Sequence, residues 1–170
     1  MRKRTNLFLI LMLLVASTAF SQTVKEESDK QTRKNKTDKQ FINPAEMPKS
    51  PGYSQAVSVS NSGRTVYLSG QVAFNSKGEM IGKGDLRAQT EQVFENIKTV
   101  LAASGATFAN VVKLSFYVKN YKPELVATIR EVRNRYLSAD RPPPASTLVG
   151  VQSLFQDEVL IEVEAVAVIP

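Results

Sequence analysis

Pro143-Pro144-Ala145-Ser146-Thr147-Leu148-Val149-Gly150-Val151, followed ten residues on by Ile161-Glu162-Val163-Glu164-Ala165-Val166-Ala167-Val168, is the stretch that decides the fold. The prolines hold the chain extended and cannot sit inside a central strand, so the first strand begins no earlier than Ala145. Thr147 to Val151 and Val159 to Val168 then read as strands. In the second of these, alternation places Ile161, Val163, Ala165 and Ala167 on one face and Glu162, Glu164, Val166 and Val168 on the other. The two carboxylates therefore point the same way, about 7 Å apart along the strand. Like charges at that spacing are tolerable in water and costly when both are buried, so at least one should be solvated, paired or protonated.

Working back toward the N-terminus, Val112, Leu114, Phe116 and Val118 alternate with polar residues, as in a half-buried strand. Pro123 stands at a helix start, and Leu125, Ile129, Val132 and Tyr136 form one apolar face that ends before Arg141. Upstream, Asp85 is a candidate N-cap, Leu86, Val93, Ile97, Val100 and Leu101 recur at helical spacing, and Gly105 is a stop signal. Ala56 to Val59 and Thr65 to Ser69 flank a turn at Asn61-Ser62-Gly63 and predict a β-hairpin. The order hairpin, helix, strand, helix, strand, strand is that of an α+β two-layer sandwich, a mixed β-sheet with two helices on one face. Its other face needs a partner or a polar surface.

The chain opens with Met1-Arg2-Lys3-Arg4, an apolar run from Leu7 to Ala16, and Ala19-Phe20-Ser21. This pattern predicts a secretory signal peptide over residues 1–21, the run being short for a membrane span. Its removal takes three positive charges and lowers the net charge from +6 to +3. Residues 22–40 are polar and mixed in charge, with too little apolar surface to offset their conformational entropy, and read as a flexible charged linker. Residues 41–170 then form the folded domain. Expected localisation is periplasmic or secreted, with no stable membrane anchor after cleavage.

The chain contains no Cys, His or Trp. Cysteine nucleophiles, histidine bases, Ser-His-Asp triads and the usual zinc sites are thereby excluded, and acid–base work falls to carboxylates, Tyr, Lys or water. Neither cofactor nor metal is expected. Most of the basic excess lies outside the domain, so no nucleic-acid partner is expected either.

Together with Pro51-Gly52-Tyr53-Ser54-Gln55-Ala56-Val57 and Ser69-Gly70-Gln71, the two C-terminal segments resemble the Rid family, the reactive-intermediate (enamine and imine) deaminases also called YjgF-like proteins. The resemblance runs from about Ile42 to Ile169. It implies a chorismate-mutase-like fold, a homotrimer, and small-molecule clefts between subunits. It also implies that Glu162 holds the attacking water, that Tyr53 lines the pocket, and that the Ser69-Gly70 backbone faces the ligand. Each position has a plainer reading: a solvent-facing glutamate, a half-buried core aromatic, a strand-end bulge.

In deaminating members of the family an arginine follows the Pro-Ala pair and grips the substrate carboxylate. Here Ser146 stands in that place, followed by Thr147, and both are candidate substrate-binding residues. A serine can bind a neutral group but offers no guanidinium fork, so altered specificity and weak turnover of 2-iminobutanoate are expected, with a gain from Ser146→Arg. Arg130, Arg141 and Lys113 are candidates to replace the missing cation. A non-catalytic ligand-binding or assembly module is the alternative function. A ribonuclease, reported for some members, is disfavoured by the lack of histidine and of a basic domain surface.

Overall fold

The computed structural model describes residues 22, 24–26, 38–45, 52–60 and 63–170. The signal peptide expected over residues 1–21 and most of the 22–40 segment lie outside them. The chain divides into Met1–Lys36 and Thr37–Pro170. Of the first unit, Gln22 and residues 24–26 are helical and exposed. Among the described residues no helix is long and apolar enough to cross a membrane.

The second unit contains β1 (Asp38–Ile42), β2 (Ala56–Ser60), β3 (Arg64–Gln71), α1 (Leu86–Ala103), β4 (Val111–Lys119), α2 (Leu125–Asn134), β5 (Ala145–Val151) and β6 (Ile161–Ile169). Four strands form a mixed sheet in the order β3-β6-β4-β5. The β3–β6 and β6–β4 pairs are antiparallel and β4–β5 is parallel. Both helices pack on one face, where Val93, Phe94, Ile97 and Leu101 of α1 and Ile129 and Val132 of α2 meet Leu114, Phe116, Val118, Val163 and Ala165. The two-layer architecture expected from periodicity is therefore present.

The hairpin is a correction. β2 and β3 both form, but β2 pairs with β1 in a separate two-stranded sheet, while β3 pairs with β6. The register sets Lys39 against Val59 and Phe41 against Val57, so these four share the half-buried side of the small sheet. Sequence reasoning found no strand in residues 38–42, because its alternation is short and set in a charged stretch. Strand β1 thus draws the last residues of the 22–40 segment into the folded unit.

Local signals fix the helix ends. Asp85 accepts a hydrogen bond from the Ala88 N–H at 3.1 Å and caps α1, and Gly105 takes φ +74° just beyond its end. A turn precedes α2, with the Leu125 N–H donating to Lys122 O. The helix itself stops at Asn134, so Tyr136 lies past its end, with its ring centroid 5.1 Å from Phe94 and 5.4 Å from Phe108.

Two buried or half-buried amides fix the loops next to the site. Gln89 donates to Gly82 O (3.1 Å) and Glu158 O (2.8 Å) and accepts from the Leu160 N–H (2.8 Å), which ties the start of β6 to α1. Asn96 donates to Val72 O and Phe74 O, both at 2.8 Å, and holds the segment leaving β3. Burying these amides is favourable only because their polar atoms are satisfied.

On the outer surface Arg87 makes a two-bond fork to Glu131 (2.7 and 2.6 Å), and Arg135 adds a bond at 3.2 Å. These hydrogen bonds pull the Glu131 carboxyl down to about 2. A depressed carboxylate contributes stability above its unfolded pKa and loses it as pH falls through the folded value. Titration by NMR should find Glu131 ionised down to about pH 2, and Arg87→Ala should return it toward the ordinary carboxylate range. The stability effect should be small, since both partners are exposed.

Candidate functional site

Strand register distributes the expected site residues over both faces of the sheet. Across the β4–β6 ladder Ser115 opposes Glu164 and Tyr117 opposes Glu162, and across β4–β5 Ser115 opposes Thr147. Directly opposed residues project to the same side. Lys113, Ser115, Tyr117, Thr147, Glu162 and Glu164 therefore share the face that the helices leave open. Leu114 opposes Ser146 and Phe116 opposes Leu148, so Ser146 and Leu148 face the helix layer. Ser146 and Glu162 of one chain point to opposite sides of its sheet. A single one-residue step decides this, because strand side chains alternate.

On the open face, Glu162 and Gly70 come together. A Cβ built on Gly70 would overlap Glu162 Oε1 and lie 2.6 Å from its Cδ, so any side chain there would displace the carboxylate. The β3–β6 register shifts between Leu68 and Gln71, which places Ser69 and Gly70 in an irregularity of the ladder. Gly70 is thus a bulge position, and it makes room for the close approach of Glu162. Burial first, and the neighbouring Glu164 charge second, push the Glu162 carboxyl above the usual range. Tyr117 donates its hydroxyl hydrogen bond to Glu164 Oε2 at 3.1 Å, and that bond, with the Glu164 charge, pushes the Tyr117 pKa up. Two carboxylates side by side, one hydrogen-bonded and one partly desolvated, are a usual way to set apart an acid–base group. Lys113 Nζ donates to Thr147 Oγ1 at 3.1 Å, and Lys113, Ser115, Glu164 and Tyr67 line a recess of about 200 Å³.

On the helix side, Tyr53 and Ser146 come together. Ser54 runs beside the start of β5: its N–H donates to Pro144 O at 3.3 Å and its Oγ to Pro143 O at 2.8 Å. That docking brings Tyr53 to a cavity of about 340 Å³ that Ser146 also lines, with Phe116, Tyr121, Leu148, Arg130 and Arg133 among its walls. Gly150 lets Tyr121 close over the edge strand, since a Cβ there would stand 2.7 Å from the Tyr121 Cβ.

Of the three candidate cations, Arg130 alone reaches this cavity. Lys113 lies on the open face, and Arg141 lines a different cavity of about 870 Å³ with Phe41 and Pro142. Arg133 was not anticipated. Its signal was present: it falls four residues after Ile129 and next to Val132, on the apolar side of α2, where a cation is out of place.

Residues 45–169 match the family model described as Endoribonuclease L-PSP. The chain is 37% identical over 117 residues to a 2-iminobutanoate/2-iminopropanoate deaminase of Dermatophagoides farinae, covering 69% of this chain and 85% of that protein. It is 38% identical over 127 residues to a RutC family protein of Pyrococcus abyssi, covering 75% and 93%. Among solved structures, a protein of unknown function of the conserved Rid protein family, YyfB of Yersinia pestis, superposes with a TM-score of 0.71 at 44% identity, covering 77% of this chain and 98% of that one. With its two-layer fold, and with matches that span almost the whole folded unit, the chain belongs to the Rid family.

Proposed function

We propose that the protein is an exported Rid-type hydrolase of a small imine, enamine or related compound, acting in clefts between three copies of the chain. One observation carries the reading: the Glu162 carboxylate lies against Gly70 on the open face, with its pKa raised by burial and by Glu164. A carboxylate with a raised pKa is a stronger base and accepts a proton from water more readily. Water adds its oxygen to the C=N carbon of the N-protonated imine while Glu162 takes the water proton, and the C=N electron pair moves onto nitrogen to leave an amine. The hydroxyl of the resulting carbinolamine then passes its proton to solvent water as the C–N bond breaks. Ammonia leaves with the proton that Glu162 returns, and the carbonyl product remains.

Because Ser146 and Glu162 of one chain face opposite ways, a cleft using both draws them from two copies. The open face of one copy would meet the β5 edge of its neighbour, which fits a trimer with three equivalent sites. Exposed Tyr67 and Val149, at 80% and 41%, are the apolar surface such a contact would cover. Export is supported by the sequence of residues 1–21. Specificity is altered in this reading, since the position after Pro144-Ala145 carries no cation.

The mature chain should run as a trimer in light scattering, start at or near Gln22 by mass spectrometry, and hydrolyse at least one member of a panel of small imines generated by an amino acid oxidase. A monomer with no activity on any imine would overturn the reading. A trimer that binds the keto products but accelerates nothing would identify a binding module instead.

A further inference from the structure

Arg130 and Arg133 lie nearly one turn apart on α2 and both line the Ser146 cavity. Arg133 is only 7% exposed. Its Nη1 donates to Gly52 O at 2.9 Å, and its Nε and Nη2 donate to Asn134 Oδ1 at 3.2 and 2.8 Å. All these acceptors are neutral. Gly52, at φ +110°, allows the approach: a Cβ there would stand 2.8 Å from Arg133 Nη2. Among the described residues neither arginine has a carboxylate partner, whereas Arg87 and Arg135 on the outer surface both pair with glutamates. A guanidinium keeps its charge in a protein, so two of them beside one cavity form a site of uncompensated positive charge. Burial first, and the Arg130 charge second, push the Arg133 pKa down, as expected for a cation lacking a counter-ion.

We infer that Arg130 and Arg133 hold the carboxylate of a small organic acid in the cavity under β5, and so take over from α2 the anion binding that Ser146 on β5 cannot supply. The apolar walls, Phe116, Leu148, Val126 and Ile129, suit the carbon chain of an organic acid rather than an inorganic anion, which would leave them uncovered. Ser146 and Tyr53 supply hydroxyls for a second polar group of the ligand. The inference deepens the proposed function by naming an anionic substrate class, and it rests on that reading only in treating the bound acid as substrate or product. It also reverses the expectation for Ser146→Arg. A third guanidinium would crowd two like charges and fill the cavity, so it should weaken binding rather than restore activity.

The test is calorimetric titration of the full mature protein with 2-oxobutanoate and with its neutral isostere 2-oxobutanamide. The acid should bind about tenfold or more tightly than the amide, as expected for charge-assisted bonds. Arg130→Ala should weaken the acid by about tenfold to a hundredfold and leave the amide unchanged. Since Arg133 also holds Gly52, Arg133→Lys is the second variant: it keeps the charge, loses the fork, and should weaken the acid several-fold while leaving the amide unchanged. Equal affinities for acid and amide, no saturable binding of the acid, or no effect of Arg130→Ala in folded protein would overturn the inference. The two proposals fail separately: preferential acid binding without imine hydrolysis removes the hydrolase reading alone, and hydrolysis without acid preference removes this one alone.

Discussion

Glu162→Gln is expected to lower imine hydrolysis by about a hundredfold or more, the usual contribution of a positioned proton acceptor. The amide keeps the size and nearly the shape of the carboxylate, so the contact with Gly70 should persist and the fold with it. What it loses is the ability to take a proton from water. Ligand affinity should change little, because the anion site lies elsewhere. Stability gives an independent readout. Burial and Glu164 raise the Glu162 pKa, so ionised Glu162 opposes folding, and its contribution is most favourable below the ordinary carboxylate pKa and fades as pH rises through the raised folded value. The glutamine variant should therefore match or exceed the wild type in thermal midpoint at neutral pH and lose that advantage in acid. Unchanged turnover would move the role to Glu164 or Tyr117, which share the open face.

Phe94→Ala should produce the largest loss of stability. Phe94 is fully buried, and its ring centroid lies 5.8 Å from Phe108, 6.3 Å from Phe116 and 5.1 Å from Tyr136. Truncation removes the centre of this cluster, at a typical cost of about 3–5 kcal/mol. That is a large fraction of the ~5–15 kcal/mol by which domains are stable. Urea unfolding, compared at one protein concentration because assembly couples to stability, should show the midpoint falling by most of that fraction. The Tyr136 hydroxyl, held up to about 12 by burial and by its bond to Glu95, should titrate lower once the ring beside it is gone. A loss below about 1 kcal/mol would mean that the cavity collapses with little cost.

How far these features were readable varied with the length of sequence over which each is encoded. The helices, β4 and β6 announce themselves by periodicity, because each buries a whole face against the same core, and β5 is marked by the proline run before it. The β1–β2 pairing does not, because strand choice there depends on which edge lies nearby rather than on either segment's own pattern. At the site, Glu162 and Gly70 were legible as separate signals, and their contact follows from the β3–β6 register. The division of Tyr53 and Ser146 from Glu162 and Thr147 was not foreseen, although the alternation of adjacent Ser146 and Thr147 already required them to face apart. Arg133 was overlooked since a buried arginine resembles a surface one in sequence until its neighbours on the helix face are counted.

The central claim, that Glu162 of one chain works with the arginine pair of another, is tested most directly by complementation in mixed trimers. Glu162→Gln and Arg130→Ala chains, coexpressed with different tags and purified together, should each be weakly active alone when assayed below saturation. In trimers that carry both tags, one cleft of the three joins an intact Glu162 to an intact Arg130, so activity should recover to about a third of the wild-type value. A mixture no more active than the two variants measured separately would contradict the account.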